Sequence, residues 1–300
     1  MTDIDTIRLN FSPESLMLLN AILAIVMFSI ALDLKPSDFK ALARTPKALL
    51  TGMVSQFLVL PAMTFAMLML TNPQPSIALG LILVASCPGG NISNFITHRA
   101  GGNTALSVSM TGIATVAAIV MTPFNIAFWG NLYEPTRAIL RQTTLDPVSI
   151  AITVFFMLIL PLALGILTNV RRPEFAARIR KTMQRISMAI FVGFIVVALA
   201  ANWGFLQSLA VTVAGLVVLH NALALSSGYL SATVMKLSPY DRRAITIETG
   251  IQNSGLGLVL IFAFFGGLGG MAVAAALWGI WHAISGLALA TLWSRREAQR

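Results

Sequence analysis

Residues 244–262 read AITIETGIQNSGLGLVLIF. A membrane-spanning helix needs roughly 20 mainly apolar residues, and this stretch is nearly that long. Yet it carries a carboxylate, Glu248, followed by Gly250, Gln252, Asn253, Ser254, Gly255 and Gly257. A carboxylate at membrane depth costs about 2.5–3.5 kcal/mol on insertion scales, so it faces the protein interior and meets a cation, a proton or a polar partner. Glycine and short polar side chains are poor helix formers. Backbone released from a helix inside a membrane is tolerated only where it is buried in protein or lines a cavity. The stretch predicts a helix broken in mid-span. Its freed carbonyls, carboxylate and side-chain oxygens are the groups a hard cation requires.

A second stretch, ASCPGGNISNFITHRAGGN at 85–103, has the same character. Pro88 removes a helix hydrogen bond, Gly89 and Gly90 loosen the backbone, and Asn91, Ser93 and Asn94 follow inside an apolar run.

Around these two stretches the whole chain is lipid-compatible. It has 300 residues, 57% hydrophobic and 10% charged, with mean hydropathy +0.82, where a soluble domain carries about 25% charged residues. Nine apolar runs, at about 14–32, 46–70, 76–98, 103–130, 148–170, 186–203, 207–235, 241–266 and 271–293, predict an all-α polytopic membrane protein of nine transmembrane helices. The expected organisation is a tail at 1–12, a membrane domain at 13–294 and a C-terminal tail at 295–300. The first twelve residues lack the basic-then-apolar pattern of a signal peptide.

Charge sets the expected orientation. Alternate connections, with the C-terminal tail, hold 17 of the 20 Lys and Arg; Arg8, Arg137 and Arg141 lie on the other side. The positive-inside rule then places the N-terminus outside and the C-terminus in the cytoplasm. The two broken helices run in opposite directions, one per half, which is the mark of an inverted-repeat secondary transporter. The segment 33–44 reads as an amphipathic interfacial stretch, and Trp129, Tyr133 and Trp293 as interfacial anchors.

The net charge of +9 comes in short clusters between apolar runs, without interleaved aromatics, which argues against nucleic-acid binding. Cys87 is the single cysteine, so there is no disulfide framework. Of eleven acidic residues only Glu248 sits at depth, and no Lys or Arg lies at comparable depth in any run. A metal cation or a proton remains as its counter-charge. Ser107 and Thr111 are four apart and share a helix face. Gln56, His220, Asn221 and His282 are further polar groups within apolar runs. His98, His220 and His282 are far apart and Cys87 lacks an evident base, which disfavours an intramembrane enzyme. A proton-coupled or metalloid efflux carrier of related fold stays open.

Six stretches, ALDLKPSDF (31–39), SQFLVLPA (55–62), CPGGNISNFITHRAGGNTALSVSMT (87–111), VVLHN (217–221), ETGIQNSGL (248–256) and WHAISG (281–286), together resemble the bile acid:sodium symporter family, in family order and over nearly the whole chain. The resemblance implies core and panel domains, two unwound helices that cross in the core, and uptake of an organic anion coupled to two sodium ions by alternating access. It implies one sodium site at Ser93, Asn94, Ser107, Thr111 and Glu248, and another at Gln56, Glu248 and Gln252 with the carbonyls of Thr249 and Ile251. It implies substrate contacts at Asn91, Asn253 and His282. Asn91 and Ala283 depart from residues found in some relatives, which puts a bile-acid substrate in doubt; since family members also carry smaller acids, the resemblance implies an organic anion that is either a small monocarboxylate, pantoate- or keto-acid-like, or bile-acid-like. The chain starts at the second helix of ten-helix bacterial members, matching nine-helix members. A bacterial inner-membrane monomer or weak dimer, with membrane lipid around it and no cofactor beyond sodium, is the expectation.

Overall fold

A computed structural model describes Asp5 and residues 13–32, 46–90, 92–142, 146–201 and 203–298. The rest of the tail at 1–12, the segment at 33–45 and Asn91 lie outside the described residues. The described chain is helical. It comprises α1 (Pro13–Ala31), α2 (Pro46–Thr71), α3 (Pro75–Ser86), α4 (Ile92–Arg99), α5 (Thr104–Leu132), α6 (Glu134–Gln142), α7 (147–171), α8 (Pro173–Ala201), α9 (Trp203–Val234), α10 (Pro239–Gly250), α11 (Ser254–Phe264) and α12 (Gly269–Ala298). Five of these, α2, α5, α7, α9 and α12, contain stretches long and apolar enough to cross a membrane; α3 and α11 are shorter apolar helices. Leucine and valine side chains exposed along α2, α5 and α7 give the outer surface a hydrocarbon character that suits lipid rather than water.

Helix starts follow local chemistry. Proline at N1 or N2, where its missing N–H costs nothing, opens α3, α7 and α10. Asn103, Ser238 and Asn253 accept backbone N–H groups as N-caps of α5, α10 and α11. Asp146 caps α7, and its bonds from the Ser149 hydroxyl and the Val148 and Ser149 amides hold its carboxyl below the ordinary range.

Two helices widen into π turns, at Ser55–Val59 in α2 and Phe155–Ile159 in α7. Each is followed by Leu-Pro, at 60–61 and 160–161. A proline inside a helix has no N–H and its ring clashes with the carbonyl four residues back. The wider turn moves that carbonyl aside. In α2 the displaced Phe57 carbonyl accepts from Asn125 Nδ2 of α5 at 3.0 Å.

The structure departs from the sequence reading in three places. The basic stretch after 171 is not a loop but the start of α8, which begins at Pro173. Its Arg and Lys side chains are straight-chained and helix-compatible. The connection after α5 holds a helix, α6, in what reads as a polar loop. Tyr133 is not an interfacial anchor: it is buried, with its hydroxyl against the Leu68 carbonyl and Asn72 Oδ1. Trp129 packs on Phe65 and donates to Asn125, and Trp293 stacks under Arg243, so both serve internal contacts.

Packing sorts the helices. α1 lies against α7 and α8, so closely that a Cβ on Gly165 would come within 2.4 Å of Ala31 Cβ. The others pack around the two interrupted pairs, α3–α4 and α10–α11, with α9 against α10 and α12 against α3. The largest buried cluster fills the space between α3, α11 and α12.

Candidate functional site

The first interruption separates α3, which ends at Ser86, from α4, which starts at Ile92; the second runs from Ile251 to Asn253. Both broken backbones must pair with something, since unpaired N–H and C=O groups within a membrane cost several kcal/mol each. They pair with each other. Gly90 N donates to the Ile251 carbonyl at 2.6 Å, Asn253 N donates to the Pro88 carbonyl at 2.9 Å, and Gly89 and Gln252 form an antiparallel bridge. The breaks thus cross as a short antiparallel ladder. Glycine is required there: a Cβ on Gly90 would lie 2.8 Å from the Gln252 carbonyl oxygen, and one on Gly89 2.5 Å from Glu248 Oε1.

Gln56 and Asn221 hold the two helix ends that enter the crossing. Gln56 Nε2 donates to the Cys87 carbonyl at 2.9 Å, and Asn221 Nδ2 donates to the Gly250 carbonyl at 2.8 Å. Thr122 on α5 reaches the Ser86 carbonyl at 2.8 Å. At the far ends of α4 and α10, Arg243 Nη1 donates to the Ala100 carbonyl and Asn103 Nδ2 to Asp241 Oδ1. The two broken helices are therefore joined at the crossing and again where α4 ends and α10 begins.

Glu248, on the last turn of α10, is 1% exposed. Ser93 Oγ donates to its Oε2 at 2.5 Å, Ser107 Oγ to Oε2 at 2.8 Å, and Thr111 Oγ1 to Oε1 at 2.5 Å. Asn94 Oδ1 lies 2.9 Å from Ser107 Oγ and 3.2 Å from Thr111 Oγ1. Three elements, α4, α5 and α10, converge their oxygens on one point. The hydroxyls have too few protons for the acceptors around them. Ser107 faces two acceptors with one proton, and Thr111 faces three, since the Ser107 carbonyl is also 3.0 Å away. A surplus of inward-facing lone pairs around a buried carboxylate is what a small hard cation satisfies.

Next to it, Gln56 Nε2 and Gln252 Oε1 are 2.7 Å apart, Gln252 Nε2 donates to the Thr249 carbonyl at 2.7 Å, and Thr249 Oγ1 meets Ser55 Oγ. All five residues of the first set that the resemblance implies are brought together. Of the second, Gln56, Gln252 and the Thr249 carbonyl are joined directly. The Ile251 carbonyl is engaged by Gly90, and Glu248 bonds to the first set rather than to the glutamines.

The substrate positions are less unified. Asn253 caps α11 through Leu256 N. His282 is buried on α12, edge-on to Trp278 at 6.5 Å, with its backbone carbonyl accepting from Ser285. Asn91 is not among the described residues. Sequence separation hid that His220 also packs on Trp278, at 4.6 Å, and bonds to Thr64 at 2.6 Å. Among the described residues no three His, Cys, Asp or Glu side chains form a group that could hold a metal. Asn125 and Thr122, which hold freed carbonyls, escaped sequence reading because only the paired carbonyl gives them a role.

Known proteins resemble this chain over most of its length. A family model, "Sodium Bile acid symporter family", matches residues 20–209. An uncharacterized sodium-dependent transporter of Bacillus subtilis, YocS, is 33% identical over 93% of this chain and 83% of its own length. A probable sodium/metabolite cotransporter of Arabidopsis thaliana chloroplasts, BASS1, is 32% identical over 91% of this chain and 66% of its own length. A sodium-dependent organic anion transporter of rat is 28% identical over 91% and 73%. The chain belongs to the sodium bile acid symporter family of membrane transporters.

Proposed function

We propose that the chain is a secondary active symporter that couples sodium to uptake of a small organic anion by alternating access across a bacterial inner membrane. The observation that carries this is the proton-poor oxygen cage around Glu248, built from two broken helices and α5. One sodium is held by Ser93, Asn94, Ser107, Thr111 and Glu248. A second is held by Gln56, Glu248 and Gln252 with the Thr249 and Ile251 carbonyls. Filling both sites takes some rearrangement of Glu248 and Gln252, whose side chains are engaged by hydroxyls and amides in this structure.

The protein spans the membrane nine times as an inverted repeat. α2 stands to α3–α4 as α9 stands to α10–α11, and an amide from each clamps the broken helix that follows it. α1, α7 and α8 form the panel and the remaining helices the core. The N-terminal ends of α4 and α11 meet the crossing with partial positive charge, which favours a carboxylate there. Asn91, Asn253 and His282 contact that substrate. The relatives' names include organic anion and metabolite carriers, which suits a small monocarboxylate. Sodium binding neutralises Glu248 and fixes both breaks, which completes the anion site; coupling follows because the ions favour the substrate-competent state.

The test is uptake of candidate carboxylates by proteoliposomes under an imposed sodium gradient. Uptake is driven by sodium and abolished by Glu248→Ala. Uptake driven equally by a proton gradient without sodium overturns the ion assignment.

A further inference from the structure

Two hydrogen bonds, one buried and one part-buried, meet at Asn221 beside the proposed ion site without belonging to it. Asn221 sits on α9 and is 1% exposed. Its Nδ2 donates to the Gly250 carbonyl at 2.8 Å, and its Oδ1 accepts from Ser285 Oγ on α12 at 2.5 Å. The carboxamide has one arrangement that satisfies both neighbours. Turned over, it would set its oxygen against the Gly250 oxygen and leave two acceptors facing each other.

Gly250 lies between Thr249 and Ile251, whose carbonyls are the backbone ligands of the second sodium in the function proposed above. Each of the three carbonyls lies in its own peptide plane, and the planes are hinged at the Cα atoms of Gly250 and Ile251, so holding the middle plane leaves the outer two only the rotations about those two hinges. α9 is pressed onto this point: a Cβ on Gly250 would lie 2.2 Å from Leu225 Cδ2, and one on Gly228 2.7 Å from the Ile245 carbonyl oxygen. On its other side Ser285 is three residues from His282, and its hydroxyl also lies 3.1 Å from the His282 carbonyl. Gly286, next in the chain, lies against Ile251 of the break and Ile96 of α4.

Gln56 supplies the contrast. It performs the same clamp on the first broken helix, but its other partner is Gln252, so it ties the two breaks to each other. Asn221 ties its break to α12 instead. We propose that the Ser285–Asn221–Gly250 relay is the link through which sodium binding at the second break sets the position of α12 and its His282, with Asn221 and Ser285 as positioning residues. The proposal rests on the sodium reading of Glu248 and Gln252, and it adds the route by which ion and anion sites sense each other.

The relay is tested without knowing the substrate. In a background with Trp129, Trp203 and Trp293 replaced by Phe, Trp278 and Trp281 remain as reporters on either side of one turn of α12. Sodium titration of the purified protein, with potassium holding ionic strength constant, changes their fluorescence. Binding of radioactive sodium is measured in parallel. Ser285→Ala leaves sodium binding within about threefold of the parent but cuts the fluorescence change by more than half. Ser285→Thr, which keeps the hydroxyl, restores it. Asn221→Leu, of similar shape, raises the sodium concentration for half-saturation at least tenfold and abolishes the fluorescence change. A Ser285→Ala protein that binds sodium and keeps the full fluorescence response overturns the relay. A parent that binds no sodium overturns the function on which it stands, and the binding assay tells the two failures apart. If Ser285→Ala does not give a monodisperse protein, a Ser285→Thr protein that binds sodium without the response overturns the relay equally.

Discussion

Glu248 is surrounded by neutral donors, not by a basic partner: among the described residues its bonds come from Ser93, Ser107 and Thr111. A side chain so placed is charged only where something else supplies the counter-charge. Glu248→Gln preserves shape and removes the charge. Sodium affinity is expected to fall at least a hundredfold while the protein stays folded, read as loss of sodium-dependent thermal stabilisation in potassium-balanced buffer. Gly89→Ala tests the cage from the other side. Its Cβ would lie 2.5 Å from Glu248 Oε1, and the carboxylate cannot swing away without giving up Thr111. The expected result is about a tenfold weaker sodium response with unchanged secondary structure by circular dichroism. Glu248 was legible in the sequence because membrane depth makes any carboxylate conspicuous, whereas Ser93, Asn94, Ser107 and Thr111 were gathered around it only by the family resemblance. Which oxygens meet which was not legible, since Ser93 and Ser107 each reach Glu248 across more than a hundred residues of chain.

At the scale of elements, the breaks announce themselves through Pro88 and the glycines, and both lie where sequence placed them. The π turn of α2 did not. Its cause, Pro61, reads equally well as an ordinary kink, and its carbonyl partner Asn125 sits 68 residues away on another helix. The helix α6 was missed because nine residues with several charges resemble a loop more than a helix. The π turn also aims Gln56, which lies within it. Asn125→Leu leaves the buried Phe57 carbonyl unpaired, a loss of about 1–3 kcal/mol for an unsatisfied buried acceptor. The expected outcome is lower thermal stability together with a weaker sodium response. Asn131→Leu, on the same helix but with an exposed side chain that donates to the Ala127 carbonyl of its own turn, is expected to stay within about 0.5 kcal/mol of the parent. Equal losses in both variants would mean that α5 merely tolerates no apolar replacement there.

For the whole molecule, direction decides function, because a symporter draws on the sodium gradient only through the side from which its sites fill. Charge is the sequence feature that bears on direction. Basic residues cluster where α7 gives way to α8, where α9 gives way to α10, and at the end of α12, while the α5–α7 connection holds Arg137 and Arg141. Neutral packing is indifferent to being turned over in a bilayer; the basic clusters are not. Since Cys87 is the single cysteine and is buried, replacing it with serine gives a background for labelling. Gln142→Cys, exposed at the end of α6, is expected to react with a membrane-impermeant maleimide on intact cells. Tyr240→Cys, 57% exposed in the first turn of α10, is expected to react only after permeabilisation. Labelling in the reverse pattern would turn both broken helices over and place the end of α4 and the start of α10 outside. The proposed sodium-driven direction would then be uptake into the wrong compartment, whatever the chemistry at Glu248.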